Sequence, residues 1–576
     1  MSRTRADEIE SLRRDSDFDV LVVGGGINGI GVFRELALQG LRVLLVERED
    51  FCSGCSAAPS RMIHGGLRYL ENGEVGLVRE SLAERDNLLR NAPHLVHPLP
   101  TTVPVASRFS GLSNAVAGIF GGKGKPAPRG IVPVRLGLML YDLITRRNRL
   151  LPRHRAHSAV ETRRLWPELT PEARWSATYH DAWISHPERL GIELILDTAR
   201  DAPQSVALNY ASVAPGAPGF ILTDGESGAS LPFTARLVVN ATGAWLDRTI
   251  AELGGRQDGP LVSGTKGSHL ILDNPALFSA LNGHMIYFEN ADGRVCITFP
   301  YLGRVLAGST DIRVDRPGRT RCDEAEAEYI LASLRLIFPG IALGPGQIVF
   351  SYSGIRPLPT SNHDFTGRIS RGHFIRRIAG KVPQICMVGG KWTTFRAFAE
   401  QVADEVLAEL RQPRRQPTQD LSIGGGRDHP GAERLARALQ EEFAIPAPRA
   451  QRLAAVYGTR ARDLLAHCRD DDPLAPNCPL SRAEVVWIAA QERLEHLSDL
   501  VLRRSDLAIS GVLDARMIDA AAGVLAEAKG WDAPRRAAEV AAIIDELARF
   551  HGVSHATLTE RSERNLTPCV SAQRPA

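Results

Sequence analysis

Residues 18–47 constrain the fold more than any other part of the chain. Residues 18–23, FDVLVV, form a short apolar run of the kind that becomes a buried parallel strand. Gly24-Gly25-Gly26-Ile27-Asn28-Gly29 follows and matches G-x-G-x-x-G. Residues 27–39 read as a helix, with Gly40 placed to end it. Residues 41–46 are a second β-rich run, closed by Glu47. Strand, glycines, helix, strand and acid in this order make a βαβ unit of about 30 residues that binds a dinucleotide. The first glycine permits the tight turn, the second lets the backbone approach a pyrophosphate, and the third lets helix pack on strand. The pyrophosphate sits on free N–H groups at the helix N-terminus, and Glu47 is placed to accept hydrogen bonds from the adenosine ribose.

The following stretch narrows the cofactor. Residues 51–70 read FCSGCSAAPSRMIHGGLRYL, a run of small and polar residues. It suits an extended loop beneath a large cofactor, which favours FAD over NAD. Two later segments repeat the strand-then-small-residue pattern. ARLVVNATGAW (235–245) ends in Ala241-Thr242-Gly243, and ICMVGGKWTTFR (385–396) places Gly389-Gly390 before a helix starting near Lys391. Ligands in open α/β sheets bind at such carboxyl ends of strands.

The chain has 576 residues, room for three to four domain-sized units at about 150 residues each. Hydrophobic residues at 44% and charged residues at 23% fit a globular protein and exclude wholesale disorder. A net charge of +3 gives no argument for nucleic acid as a partner. Eight Cys are too sparse for a disulfide scaffold. Cys52 and Cys55 read as two unpaired loop thiols, since no second ligand pair completes a metal site. Residues 1–16 are a polar extension without an apolar signal core, and no run of about 18 apolar residues is present to span a bilayer. A cytoplasmic protein is expected. Peripheral membrane contact stays open, though no clean amphipathic anchor stands out.

Residues 121–130, GGKGKPAPRG, read as a surface loop. Residues 261–320 contain short β-rich runs expected to form an antiparallel sheet. Residues 412–430 read as a linker, 431–552 as an all-helical domain, and 553–576 as a disordered polar tail.

The motifs VVGGGINGIG (22–31), SRMIHGGLRYL (60–70), ERDNLLRNAPHLV (84–96), VVNATGAW (238–245), KGSHLIL (266–272), AGSTD (307–311), YSGIRPL (352–358) and GGKWTTFR (389–396) resemble those of FAD-dependent, quinone-reducing glycerol-3-phosphate dehydrogenases. YGTRA (457–461) and residues 483–507 resemble that family's helical cap, so the resemblance runs from about residue 17 to 550. It implies an α/β fold: an FAD-binding Rossmann-like domain interleaved with an α+β antiparallel-sheet substrate domain, followed by helices. The oxidoreductase region would be 17–411, with FAD-binding parts near 17–106, 186–260 and 345–411 and substrate parts near 107–185 and 261–344. The resemblance further implies oxidation of sn-glycerol 3-phosphate to dihydroxyacetone phosphate, a membrane quinone as acceptor, and attachment to the inner face of the cytoplasmic membrane. It leaves a homodimer open.

By the same resemblance, FAD is held by Gly24, Gly26, Asn28, Gly29, Glu47 and Arg48 and by Ser56, Ser60, Met62, His64, Gly65 and Gly66 in the loop beyond. Ser212, Ala241, Thr242, Gly243, Gly390, Lys391, Thr393 and Thr394 complete that set. The chain departs from the family in two places. Ala57, Ala58, Pro59 and Arg61 replace a Ser/Thr-rich run ending in Ser-Lys, and WISHPERL (183–190) replaces Val-Asp-Asp-Ala-Arg-Leu.

A phosphate dianion calls for the fork geometry of arginine. The candidates are Arg68, Arg356 and Arg371, with Arg368 as the alternative to the last. His269 suits proton transfer near neutral pH, and Arg356 suits polarising the developing oxyanion. Tyr69 is placed to contact substrate. Lys391, Thr393 and Thr394 stand at a helix N-terminus that would stabilise negative charge on a reduced flavin, with Lys391 also reaching substrate. Two other readings remain: another flavin oxidase or dehydrogenase acting on an amino or hydroxy acid, and a non-catalytic protein on a flavin fold.

Overall fold

The computed structural model of the chain describes residues 4–66, 74–107, 131–145, 150–290, 292–361, 371–468 and 472–566. Two sheets organise it. The first runs β17 (His373–Ile378), β18 (Gln384–Gly389), β10 (Ser230–Asn240), β1 (Asp17–Val23), β2 (Val43–Val46), β7 (Val206–Leu208), and is parallel from β18 to β7. Val20, Leu21 and Val22 of β1 are sealed on both faces, which is why that run is continuously apolar. Helices α2 (Ile27–Leu38), α5 (Pro187–Asp201) and α6 (Phe395–Leu410) cover one face, packing Phe33, Leu194 and Phe398 over Val20 and Val22. On the other face, β8 (Ala211–Pro215) and β9 (Phe220–Asp224) extend β10 antiparallel, and α1 (Arg5–Arg14) closes over them.

The second sheet has ten strands among the described residues. Its main path is β15 (Ile312–Val314), β11 (Val262–Leu272), β14 (Arg304–Gly308), β13 (Val295–Tyr301), β12 (Met285–Glu289), β4 (Val96–Val105), β6 (Trp175–Ile184) and β3 (Met62–Ile63). β16 (Ile348–Pro359) pairs with β11, and β5 (Arg155–His157) pairs with β6. The expected antiparallel sheet over 261–320 is present as β11 to β15; β12 with β4 is a parallel pairing. β3, β4 and β16 fall within segments that the sequence reading assigned to cofactor binding, yet their hydrogen bonds place them in this second sheet. Helices α3 (Val75–Asn91) and α4 (Ile131–Ile144) pack beside β4 and β6.

Beyond residue 431 the chain is helical, but its core is not closed off. One apolar cluster joins Leu453, Leu500 and Leu525 to Phe299, Tyr301, Phe350 and Tyr352 of the second sheet. Charges fasten the same junction. Asp50 accepts from the guanidiniums of both Arg503 and Arg504, and Arg189 forms a two-pronged ion pair with Glu492.

Three segments that the sequence described by composition alone gain structure. The polar extension is an ordered helix, α1, with Ile9 and Leu12 buried and Glu8 paired with Arg493. The stretch 412–430 does not hang free: Gln39 accepts from the Arg415 and Gln416 amides, Thr418 donates to Glu35, and the Gly424 amide donates to Asp197. The expected tail begins with a helix, His555–Leu566, because Leu558 is buried and Arg561 reaches the carbonyls of Leu513 and Val349. The glycine- and lysine-rich run 121–130 lies outside the described residues, as does the chain beyond 566.

Candidate active site

The carboxyl ends of β1, β2, β10 and β18 open into one cavity of about 990 Å³. At its floor the glycine turn has the geometry that its sequence demands. Gly24 has a φ of +106°, and a Cβ there would lie 2.8 Å from the Ala241 carbonyl oxygen. A Cβ on Gly29 would lie 1.9 Å from the Gly24 carbonyl oxygen, so helix and turn can touch only through glycine. Gly26 is different. Its Cβ would meet only the Ser56 hydroxyl, at 3.2 Å, because the residue faces the cavity.

Glu47 ends β2 on the cavity wall, where its carboxylate accepts from the Gly25 amide at 2.7 Å and the Glu49 amide at 3.0 Å. Burial pushes its pKa up, and these amide bonds oppose the shift. Beside it the Arg48 guanidinium stacks on Trp245 at 4.9 Å. Ser212, Ala241, Thr242 and Gly243 line the same region. Ser56 Oγ accepts from the Ile27 amide, the first amide of α2, at 3.0 Å. Asn28 reaches Gly389 with its amide nitrogen at 3.4 Å, while its buried Oδ1 has no partner among the described residues. A glycine cradle open to the cavity, the N-terminus of α2 on the same wall and an orphaned buried amide oxygen all fit a bound dinucleotide.

Ser60, Met62 and His64 line the wall, and the His64 amide donates to Thr393 Oγ1 at 3.2 Å. Burial, with Lys391 and Arg371 adding to it, lowers the His64 pKa to about 4. Gly65 and Gly66 lie behind the wall. The Gly65 amide donates to Asp181 at 3.1 Å, and a Cβ on Gly65 would strike Leu82 and the Tyr141 hydroxyl at 2.4 Å. Gly390 and Thr393 line the cavity, whereas Thr394 is buried off its wall. The α-helix after this turn starts at Phe395, preceded by a 3₁₀ turn over Trp392–Thr394.

The cationic groups converge. Arg356, Arg371 and Lys391 line the cavity together. Arg356 donates to Ser309 Oγ at 3.0 Å, to the Thr310 carbonyl and to Asp311. Its guanidinium lies across Gly267, where a Cβ would be 2.1 Å from Nη2. Burial lowers the Arg356 pKa, and Arg371 adds to the shift. Lys391 donates to Ser81 Oγ at 2.6 Å. Burial brings its pKa down to about 7, with Glu80 and Glu74 opposing and Arg371 adding to the fall. Arg68, Tyr69 and Arg368 lie outside the described residues.

His269, the proton-transfer candidate of the sequence, lies off the cavity wall. It sits in the interior of β11, fully buried, stacked on Tyr352 with ring centroids 5.0 Å apart. Tyr352 lines the cavity and His269 does not. Neither ring nitrogen has a partner among the described residues, and burial, followed by Arg356 and Arg61, holds its pKa well down.

Four wall residues escaped the sequence reading as contributors. Arg61 and Glu188 form a buried ion pair, Cys55 stands near Arg356, and Tyr352 lines the cavity further along the same strand as Arg356. Burial pushes the Cys55 thiol's pKa up, and Cys52 and Cys55 are both free thiols. Arg61 was visible in sequence only as a departure from the family pattern.

Comparison with known proteins agrees with this geometry. Residues 19–405 match the model of the FAD dependent oxidoreductase family, and residues 416–536 match the C-terminal domain of alpha-glycerophosphate oxidase. A Synechocystis glycerol-3-phosphate dehydrogenase is 33% identical over 553 residues, covering 90% of this chain and 94% of that protein. A Brucella abortus D-erythritol 1-phosphate dehydrogenase is 30% identical, covering 84% of this chain and 94% of that protein. Among solved structures, a Bacillus halodurans glycerol-3-phosphate dehydrogenase complexed with FAD superposes with a TM-score of 0.71 at 22% identity, covering 94% of this chain and 96% of that one.

Proposed function

The chain belongs to the FAD-dependent oxidoreductase family, in its glycerol-3-phosphate dehydrogenase branch, and from that premise we propose that it oxidises sn-glycerol 3-phosphate to dihydroxyacetone phosphate. FAD is the cofactor and, when bound, supplies the hydride acceptor. The observation that carries the substrate is the convergence of Arg356, Arg371 and Lys391 in the cavity that holds the dinucleotide turn. A single carboxylate needs one such cation, whereas a phosphate dianion takes several charge-assisted hydrogen bonds.

Each residue then has a proposed task. Arg371 and Lys391 hold the phosphate oxygens. Arg356, anchored by Ser309, Thr310 and Asp311, turns its guanidinium toward the oxygen on C2 and stabilises the charge that develops there. His269 is the proposed acceptor of the C2 hydroxyl proton. Burial keeps it neutral and neither ring nitrogen has a partner among the described residues, but the ring lies behind Tyr352 and off the cavity wall, so this task requires Tyr352 to give way to substrate. Lys391, on the wall with a pKa of about 7, is the competing acceptor. The pH profiles of His269→Asn and Lys391→Met separate the two: loss of the true acceptor abolishes the acidic limb of flavin reduction.

The terminal acceptor proposed is a membrane quinone, with the protein attached peripherally to the inner face of the cytoplasmic membrane. The motif resemblance supports this part. No helix among the described residues is long and apolar enough to cross a membrane.

The test of substrate is anaerobic bleaching of the bound flavin. Glycerol 3-phosphate is expected to bleach it rapidly, and glycerol, glycine and lactate to leave it oxidised. D-Erythritol 1-phosphate, which shares the phosphate but has a longer carbon chain, tests how the cavity measures length. Bleaching by glycerol as fast as by its phosphate would overturn the reading.

A further inference from the structure

The dinucleotide turn takes its shape from the loop that follows β2. The Gly25 amide donates to Glu47 at 2.7 Å, and the Gly25 carbonyl accepts from the Cys52 amide at 2.9 Å. A Cβ on Gly25 would lie 2.7 Å from both Glu47 Cβ and Phe51 Cδ1. Ser56 Oγ holds the Ile27 amide at the start of α2. Residues 47–56 thus grip the backbone of the turn at three points.

That loop is held in turn by the helical region. Asp50, in its middle, is buried. Its Oδ2 accepts from Arg503 Nε at 2.5 Å and from Arg504 Nη1 at 2.7 Å. Its Oδ1 accepts from Arg504 Nη2 at 2.8 Å and from the Asn209 side-chain nitrogen at 2.9 Å. Burial would raise the Asp50 pKa, but Arg504 and Arg503 hold it below the usual carboxylate range. A second limb runs parallel. Arg503 also donates to Asp499 at 2.7 Å, Asp499 accepts from the Tyr210 hydroxyl at 2.5 Å, and the Tyr210 amide donates to the Glu49 carbonyl at 3.0 Å. Two buried aspartates and two buried arginines balance in charge.

The helical region also meets the cavity directly. His496, Ser498, Leu502 and Arg503 line it, and the His496 ring lies 4.4 Å from that of Tyr210, another wall residue. A loop fixed before its ligand arrives loses little freedom on binding, and such preorganisation acts mainly on how slowly the ligand leaves.

We propose that Asp50, Arg503 and Arg504 are positioning residues for the cofactor: the helical region clamps residues 47–56, and through them the glycine turn, and so sets how long FAD stays bound. This goes beyond the reaction proposed above and rests only on FAD as the cofactor, whatever the substrate. The test follows release of FAD from diluted full-length holoenzyme by the fluorescence of free flavin, with circular dichroism recorded on the same sample. Asp50→Asn is expected to release FAD at least about tenfold faster than the wild type while its helical signal is kept. Asp50→Asn combined with Arg503→Met leaves one charge of each sign in the cluster, and is measured where the single variant does not fold. Arg304→Met is the control. It removes the bond from β14 to the Ser510 carbonyl, which loosens the helical region away from the loop, and should leave release unchanged. Release at the wild-type rate in the Asp50 variants would overturn the clamp. So would equally fast release from Arg304→Met, or release in step with loss of the helical signal. A further measurement needs no variant. Coupling is reciprocal, so hydrogen exchange in residues 499–504 of the wild type should slow when FAD is bound. Equal exchange in the holoenzyme and in flavin-stripped protein would overturn the proposal as well.

Discussion

Arg61 Nη2 donates to Glu188 Oε1 at 3.0 Å, inside a wall where both side chains are almost fully buried. These two residues lie in the two segments at which the sequence departs from its family, CSAAPSRM and WISHPERL. The departures are thus one structural unit. The Arg61 guanidinium also lies over the rings of Tyr301 and Tyr352, at 5.1 and 5.6 Å, and Tyr352 carries His269 on its other contact. Burial would lower the Arg61 pKa, but Glu188 more than reverses this, so the Arg61 guanidinium is held charged.

Breaking this pair from one side should be costly. Glu188→Gln leaves a buried guanidinium without its counter-charge, and a loss of about 3–5 kcal/mol is expected. Arg61→Met combined with Glu188→Leu removes both charges and should recover much of that loss. Urea denaturation of the two single variants and the double variant measures the coupling. Additive losses would mean that the two residues do not act as a pair.

The glycines of the turn should fail in different ways. Gly29→Ala drives a methyl group into the Gly24 carbonyl and should prevent stable folding. Gly26→Val adds bulk only toward Ser56 and the cavity, so the protein should fold but purify without flavin. Circular dichroism and the flavin-to-protein absorbance ratio report the two outcomes. A fully yellow Gly26→Val protein would refute the cofactor site.

Removing a cation from the phosphate pocket should act on substrate affinity. Arg371→Ala and Arg356→Ala each delete charge-assisted hydrogen bonds worth about 1.5–3 kcal/mol, or roughly 10- to 150-fold in kcat/KM. Arg371→Ala should raise KM with little change in kcat. Arg356→Ala should lower kcat as well, because its guanidinium also faces the C2 oxygen in the proposed geometry. Steady-state kinetics with an artificial acceptor gives the split. Identical profiles for the two variants would remove the distinction drawn between them.

His496 should make stability fall on the alkaline side. It bridges Glu226 of the first sheet's antiparallel arm and Glu539 of the helical region, at 3.0 and 2.9 Å. Burial alone would lower its pKa, but the bonds to these carboxylates raise it to about 10. A raised folded pKa means that the folded state holds the proton more tightly than the unfolded one. The contribution is complete below about pH 6.5 and is lost as pH rises toward 10. Thermal unfolding from pH 6 to 10 should therefore show a steeper decline for the wild type than for His496→Asn. Parallel curves would exclude the bridge.

The cofactor half of the site was legible in sequence because its parts are neighbours along the chain. Strand, turn, helix and strand in residues 18–47 meet through local hydrogen bonds and glycine sterics, so their order carries their geometry. Lys391 and Thr393 were legible for the same reason, at the end of one strand. The substrate wall was not. His269 was read from sequence only by its titration range, and pairing of β11 with β14 and β16 places it in a sheet interior behind Tyr352. The C-terminal stretch was misjudged in the opposite sense, since the helix His555–Leu566 is polar in composition and owes its order to buried Leu558 and to the hydrogen bonds of Arg561 with the Leu513 and Val349 carbonyls.

Helix α4 marks the limit most clearly. Its sequence is apolar on both sides, so no alternation of polar and apolar residues separates the face that meets Val78 and Ala177 from the face left bare. Arg61 and Glu188, 127 positions apart, likewise became partners only when β3 paired with β6. The sequence by itself determined the βαβ unit, the cofactor class and the identity of the charged residues, because short-range sterics and backbone hydrogen bonds depend on adjacent residues. Which charges are buried together, and which apolar faces meet solvent, were decided by the tertiary structure alone, because both depend on what the folded chain brings in from far along its length.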